Sequence, residues 1–325
     1  MLSTSLISQI AQTNWIPLCF TNTVPRLQVK EIDLEYRKVG VFKTSEDEYL
    51  AIDDRCPHRH GSLCGQRINS DGTIKCPYHG AQFNTTTGKC TEFLKMPSSL
   101  RLHEYETKVD HDNVLWCKLT DDAVPFPELP YEVHEDERAV CGTTDVKVSA
   151  FDLVENLCCS CHIHKVHSFG NKDDPQPKNM KKIVTSSTSC GYTYDYNSNA
   201  RLAKGTSEVV HVFNGFYGPF SVYSNVAFSS SMKSIRVSVL PLTSTSSRIF
   251  WTLGRDFMKH DLGDHVARQI MLKTIEEDAA VLGQMSDKKP GGPNQVLTKF
   301  DWIIAKYRRS VTVDFLENFE GQPKD

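Results

Sequence analysis

Short strand-like segments rich in apolar residues and separated by polar breaks open the chain. Residues 15–20, 36–42 and 49–53 read as strands, with Pro25, Gly40 and the polar run from Ser45 supplying the breaks between them. Asp71-Gly72, set between Ile68 and Ile74, predicts a hairpin turn. Residues 81–83, 88–91 and 114–119 add further strands, so the first part of the chain reads as a small antiparallel β-domain. Pro125, Pro127 and Pro130 then mark an extended link, because closely spaced prolines hold the backbone in extended geometry.

Beyond the link the periods mix. A strand is expected near residues 145–150 and a helix over 151–167. Residues 181–256 alternate again in segments 209–213, 220–228, 235–240 and 248–253, which predicts an antiparallel sheet. Residues 264–285 carry the helical period, with Val266, Ile270, Ile275, Ala279 and Leu282 among the apolar positions. Gly291-Gly292-Pro293 closes that helix, and a shorter helix is expected over 296–307. The resulting class is α+β. An all-β domain occupies 1–122 with its N-terminal segment, a proline-rich link 123–130, and a second domain of antiparallel sheet flanked by helices 131–325.

Composition narrows the partners. With 39% hydrophobic and 24% charged residues and a net charge of −3, the chain is an ordinary globular protein with no basic block to track phosphates. A nucleic-acid partner is therefore not expected. No run approaches eighteen apolar residues and the first ten residues are too polar for a secretory signal, so no membrane partner is expected either. A cytoplasmic location is expected, with a plastid also compatible. Eleven cysteines, an odd number with ligand-like spacings, point to a reducing compartment rather than a disulfide framework. Most of those outside the motif described next are expected to be buried thiols.

The strongest chemical signal is Cys56-Pro57-His58 followed after seventeen residues by Cys76-Pro77-Tyr78-His79. Two Cys–His pairs brought together by a long excursion can hold a [2Fe-2S] cluster, with Cys56 and Cys76 on one iron and His58 and His79 on the other. Tetrahedral zinc uses the same residue types but usually groups Cys with Cys and His with His. A second concentration lies in the predicted helix, where His162, His164 and His167 fall within six residues. Two histidines and a carboxylate on one face of an octahedron leave positions open for dioxygen and substrate, the arrangement of mononuclear non-haem iron(II). His162 and His167 are the preferred pair, with His164 as the alternative. Residues five apart do not share a helical face, so the helix must break or bulge for both to reach one ion. Cys158 and Cys161 form a C-x-x-C pair that raises a thiol switch.

Cys-Pro-His-Arg at 56–59 and Cys-Pro-Tyr-His-Gly at 76–80 resemble the two loops of the Rieske fold. Glu155, Asn156, His162 and His167 resemble the Glu-Asn-x-x-Asp-x-x-His-x-x-x-x-His helix of the α-subunit of Rieske non-haem iron oxygenases. That resemblance implies a helix-grip catalytic domain, and it singles out Asp278 in Glu276-Glu277-Asp278 as the carboxylate ligand, leaving Glu276 and Glu277 as solvated helix surface. It further implies an oxygenase that takes electrons from a separate NAD(P)H-dependent reductase or a ferredoxin. With O2 it would hydroxylate or oxidatively demethylate a small ring-bearing substrate. The segments at 240–243, 248–251 and 255–257 look most like the α-only branch that includes vanillate and dicamba demethylases and pheophorbide a oxygenase-like proteins, which implies a homotrimer. Phe213, Phe216, Tyr217, Phe220, Tyr223 and Phe228 are candidates to line the pocket. One position departs from the pattern: Cys159 stands where the family has the Asp that bridges the two metal sites. A thiol is a weak donor and acceptor. Glu155, on the same helical face as Cys159 and His162, is the candidate substitute. The competing reading is an electron carrier or thiol-based sensor that has lost oxygenase activity.

Overall fold

The computed structural model describes residues 4–44, 46–92, 100–122, 124–130, 133–134, 136–198, 208–228, 230–285 and 295–314. The chain divides into two units, Asn14–Ala123 and, taken together, Met1–Thr13 with Val124–Asp325.

The first unit is built from strands. β1 (Trp15–Phe20), β2 (Lys30–Leu34), β3 (Arg37–Lys43) and β4 (Tyr49–Asp53) come first, then the short β5 (Thr73–Lys75), β6 (Gln82–Asn84) and β7 (Cys90–Glu92). β8 (Glu104–Val109) and β9 (Val114–Lys118) complete it. Six strands form one antiparallel sheet in the order β1-β9-β8-β4-β3-β2, and β5-β6-β7 form a second. β2 and β8 carry so few apolar residues that alternation alone did not mark them: only Ile32 and Leu34 of β2 and Tyr105 of β8 are buried. Pairing with neighbouring strands supplies the order their own sequence lacks. Phe42, Ile52, Leu63, Ile74 and Phe83 form a core that also takes in Cys56 and Cys76. The expected turn is present, with Gly72 at φ +74° and its N–H donating to Asn69.

In the second unit α1 (Thr4–Thr13) buries Leu6, Ile10 and Ala11. This N-terminal segment groups with the second unit rather than with the β-domain where the sequence reading put it. β10 (Arg138–Val146) is followed by α2 (Ala150–Cys158) and the single-turn α3 (Ile163–Val166). Six sheet elements follow: β11 (Lys178–Val184), β12 (Ser189–Ser198), β13 (Glu208–Tyr217), β14 (Ser221–Ala227), β15 (Met232–Thr243) and β16 (Ser246–Arg255). The last helices are α4 (Asp261–Gly283) and α5 (Trp302–Arg309). All seven strands pair antiparallel in the order β10-β16-β15-β14-β13-β12-β11. α2 packs on β13, β14 and β15, while α4 packs on β10 and β16 and against α2 and α3. The α+β class with an antiparallel sheet and helices holds.

Several boundaries move for identifiable reasons. The helix expected over 151–167 is two pieces, because the carbonyls ending α2 are taken by sheet side chains: Tyr192 Oη donates to Cys158 O at 2.7 Å, and Asn214 Nδ2 to Leu157 O at 3.0 Å. Ser149 caps the start of α2 by accepting from the Asp152 N–H. The strand near 145–150 lies earlier, as β10. α5 starts at Trp302 rather than 296, since Asp301 accepts from the Thr298 N–H and hydroxyl and ties the preceding residues into a turn. The buried stripe of α4 runs through Ala267, Met271, Ile275, Asp278 and Leu282, whereas Ile270 is exposed. Gly291-Gly292-Pro293 lies outside the described residues. Among the described residues no helix is long and apolar enough to cross a membrane.

Candidate metal centres

Cys56, His58, Cys76 and His79 sit on two loops that repeat one backbone pattern. In the first, Cys56 N–H donates to Gly61 O and His60 N–H to Cys56 O; in the second, Cys76 N–H donates to Ala81 O and Gly80 N–H to Cys76 O. The fifth residue of each loop, His60 and Gly80, has positive φ, +59° and +74°. The loops thus place Cys56 and Cys76 at matching positions, while His58 and His79 follow one residue apart in the pattern. Both cysteines are buried, and the His58 and His79 rings lie 4.7 Å apart in a T-shaped arrangement. Gly61 approaches so closely that a Cβ would lie 3.1 Å from Cys76 Sγ. Asp54 pins the first loop by accepting from Ser62 Oγ and from the N–H groups of Leu63 and Cys64. Burial, with Cys76 alongside, pushes the Cys56 thiol up to about 11, while partial desolvation and the neighbouring His58 and Arg59 hold His79 below the usual histidine range. Two paired thiols and two adjacent imidazoles fit a two-iron cluster with mixed ligation.

The second constellation joins α3 to α4. His162 and His167 flank the one turn of α3, and Asp278 faces them from the buried stripe of α4. Asp278 Oδ1 lies 3.5 Å from His162 Nε2 and 3.3 Å from His167 Nε2, and it is buried without a hydrogen-bond partner among the described residues. An orphaned carboxylate oxygen facing two imidazole nitrogens is costly as it stands and fits a cation held among the three. The break after α2 brings the two histidines together, as their five-residue spacing requires. His164 is not in the group. Gly170 lets the chain close tightly over α3, since a Cβ there would collide with the Ile163 carbonyl.

Glu277 is not the solvated helix surface that the resemblance implies; it is partly buried against His167. His167 Nδ1 lies 2.9 Å from Glu277 Oε2, so the imidazole donates there and turns Nε2 toward Asp278. A sequence signal existed in its adjacency to Asp278, but consecutive helix residues project about 100° apart, which favoured placing only one of them at the site. Glu276 is exposed.

The other candidates separate. Glu155 does not reach toward the histidines; it forms a two-pronged ion pair with Arg308 of α5, both contacts 2.8 Å. Burial still raises its pKa despite Arg308. Asn156 Nδ2 is buried without a partner among the described residues. Cys159 ends α2 beside the cavity; its hydrogen bond with Cys161 and its burial push the thiol up to about 12, so it is neutral and a poor bridge. Of the other cysteines, Cys19, Cys117, Cys158 and Cys190 are buried, but Cys64, Cys90, Cys141, Cys159 and Cys161 are only partly so, fewer buried thiols than expected.

A cavity of about 300 Å³ opens beside His162, His167 and Asp278. Its walls are mainly apolar side chains of β12–β16 and α4, among them Val210, Val212, Val226, Ile235 and Val237. Of the six aromatic candidates only Phe228 lines it. Phe216 and Phe220 pack instead on Tyr307 and Phe151 of the helices, and Phe213 and Tyr217 pack on Tyr223. Phe213, Tyr217 and Tyr223 alternate to the opposite sheet face from Val212, Val222 and Val226.

Two family descriptions match the chain: "Rieske [2Fe-2S] domain" over residues 14–106 and "Vanillate O-demethylase oxygenase C-terminal domain" over 152–313. Protein TIC 55, chloroplastic, of Arabidopsis thaliana is 28% identical over 59% of this chain and 38% of its own length. Pheophorbide a oxygenase, chloroplastic, of Oryza sativa subsp. japonica is 26% identical over 58% of this chain and 39% of its own length. The chain therefore spans less than half the length of these curated relatives. In fold it is similar to Pseudomonas putida CBB5 NdmA with caffeine, with TM-score 0.81, 19% identity and coverage of 97% and 94% of the two chains.

Proposed function

With a Rieske [2Fe-2S] domain and a vanillate O-demethylase-type C-terminal domain in one chain, the protein belongs to the Rieske oxygenases, and we propose that it is the terminal oxygenase of an electron-transfer system acting on a small ring-bearing molecule. The observation that carries this reading is the unpartnered Asp278 Oδ1 facing His162 and His167 beside an apolar cavity. In it, Cys56, Cys76, His58 and His79 hold the cluster, and His162, His167 and Asp278 hold ferrous iron. When bound, the cluster supplies single electrons and the iron supplies oxygen activation. The chain's own part is positioning. Glu277 fixes the His167 tautomer, and the apolar walls exclude water and orient the substrate toward the three ligands. A separate reductase or ferredoxin supplies electrons and the assembly is a homotrimer; both proposals rest on the domain composition. Hydroxylation and oxidative demethylation are the two outcomes the site chemistry allows.

The neutral Cys159 thiol favours a second reading, a Rieske electron carrier or redox sensor. Metal and sulfide analysis separates them. The oxygenase is expected to bind about three irons per chain, falling to about two in Asp278→Ala with the cluster spectrum unchanged. About two irons in the unmodified protein would leave only the carrier, and zinc without sulfide would overturn both.

A further inference from the structure

The cavity beside the candidate iron site is mainly apolar, with Asn214, Ser224 and Thr274 as neutral polar groups, and one corner of its wall carries positive side chains. Lys233 on β15 lines it with its Nζ 5.6 Å from the Phe169 ring and 5.9 Å from the Phe228 ring. Among the described residues no carboxylate or hydrogen-bond acceptor is paired with this ammonium. Directly across the strand pair, Lys233 faces Arg255 of β16, so two positive side chains share one sheet face, an unfavourable pairing unless something neutralises it.

The carboxylates beside Arg255 and Arg138 are already engaged. Arg255 donates to Asp264, and Arg138 donates to both Asp264 and Asp261. Lys233 is left as the surplus charge. Arg255 is 3% exposed and lines the same cavity; its terminal nitrogens donate to Asp264, Met258 O and Arg138 O, but its Nε is buried with no partner among the described residues. Two ring contacts leave the partly buried ammonium without a hydrogen-bond acceptor among the described residues. Burial correspondingly pulls the Lys233 pKa down.

We propose that this corner binds an anionic group of the substrate: the molecule turned over is a compact ring system carrying one oxyanion, a carboxylate first of all, held by Lys233 with Arg255 Nε beside it. The inference rests on the oxygenase reading above and adds the charge of the substrate and the end by which it is held. Phe169 stacks on the His167 ring at 5.0 Å and also carries the Lys233 ammonium, so one aromatic ring separates the anion's place from the candidate iron ligand. An anchored anion therefore directs the opposite, uncharged end of the substrate toward His162, His167 and Asp278. Oxidation is then expected on a carbon remote from the charge.

The test uses the full-length holoprotein and two probes of nearly equal shape, 2-naphthoate and its uncharged amide, 2-naphthamide, titrated by calorimetry. The unmodified protein is expected to prefer the carboxylate about tenfold or more, as a charged hydrogen bond provides. Lys233→Met should abolish that preference with little change for the amide, and Lys233→Arg should restore most of it. Equal binding of both probes, no binding of the carboxylate, or a preference that survives in Lys233→Met would each overturn the proposal; the last outcome would place the anion on the metal instead. Iron content of the same samples keeps the two readings apart. Charge preference without iron at the His162–His167–Asp278 site counts against the iron reading alone, and iron without the preference counts against this one alone.

Discussion

The two candidate metal sites are built in opposite ways. The cluster site is a backbone construction: two loops with the same hydrogen-bond pattern, carrying all four candidate ligands between residues 56 and 79 with both cysteines in the core. The iron site is a side-chain construction. It takes two histidines from a broken helix and one carboxylate more than a hundred residues later, and its geometry depends on Tyr192 and Asn214 ending α2 from the sheet. The first set is embedded in the core of its own unit through Cys56 and Cys76, whereas the second depends on a long-range approach of Asp278 to His162 and His167.

The largest expected break of this contrast is Cys76→Ser. Losing a ligand embedded in the core should abolish the cluster's visible spectrum and lower the urea stability of the first unit by roughly 5 kcal/mol, since metal binding there is also folding energy. A variant that lost the cluster yet kept its urea midpoint would remove the distinction between the sites.

Glu277→Gln sharpens the other side. Removing the carboxylate that His167 donates to should weaken iron binding about 10- to 100-fold while leaving the cluster spectrum and the melting temperature close to unchanged. Unaltered iron affinity in a metal titration would show that α4 alone sets the histidine's orientation.

The pocket corner has its own pH signature. Hydrogen bonds from Arg138 and then Arg255 hold Asp264 down at about 2, below its ordinary value near 3.9. A depressed carboxylate contributes stability that is present above the unfolded pKa and lost as pH falls through the folded one. The difference in melting temperature between the unmodified protein and Asp264→Asn should accordingly be full above about pH 4 and shrink toward pH 2. A constant difference across that range would rule out ionisation as its source.

The smallest effect returns to the loops. His60 occupies with φ +59° the place that Gly80 fills in the second loop, and it is exposed. His60→Gly should leave the cluster spectrum intact and stabilise the first unit by about 1 kcal/mol in urea titration, because glycine adopts positive φ without the side-chain penalty. A loss of cluster would show that the side chain itself is needed.

The chain of residues alone determined what depends on local sequence. The candidate cluster ligands lie close along the chain with their turn residues around them, and strands made of short apolar runs, such as β1 and β4, matched their predicted bounds. Strands without an apolar signal, β2 and β8, escaped because their order comes from neighbours. The resemblance supplied His162, His167 and Asp278 as a set, but periodicity alone drew one helix through 151–167. Only the tertiary structure decided that this helix breaks, since the carbonyl acceptors that end it are met by side chains from distant strands. It likewise sent Glu155 to Arg308, brought Glu277 to His167, and left Lys233 unpaired in the cavity wall. A charge on the chain can be read from its sequence; whether that charge finds a partner is fixed by packing between residues far apart, and that pairing assigns its role.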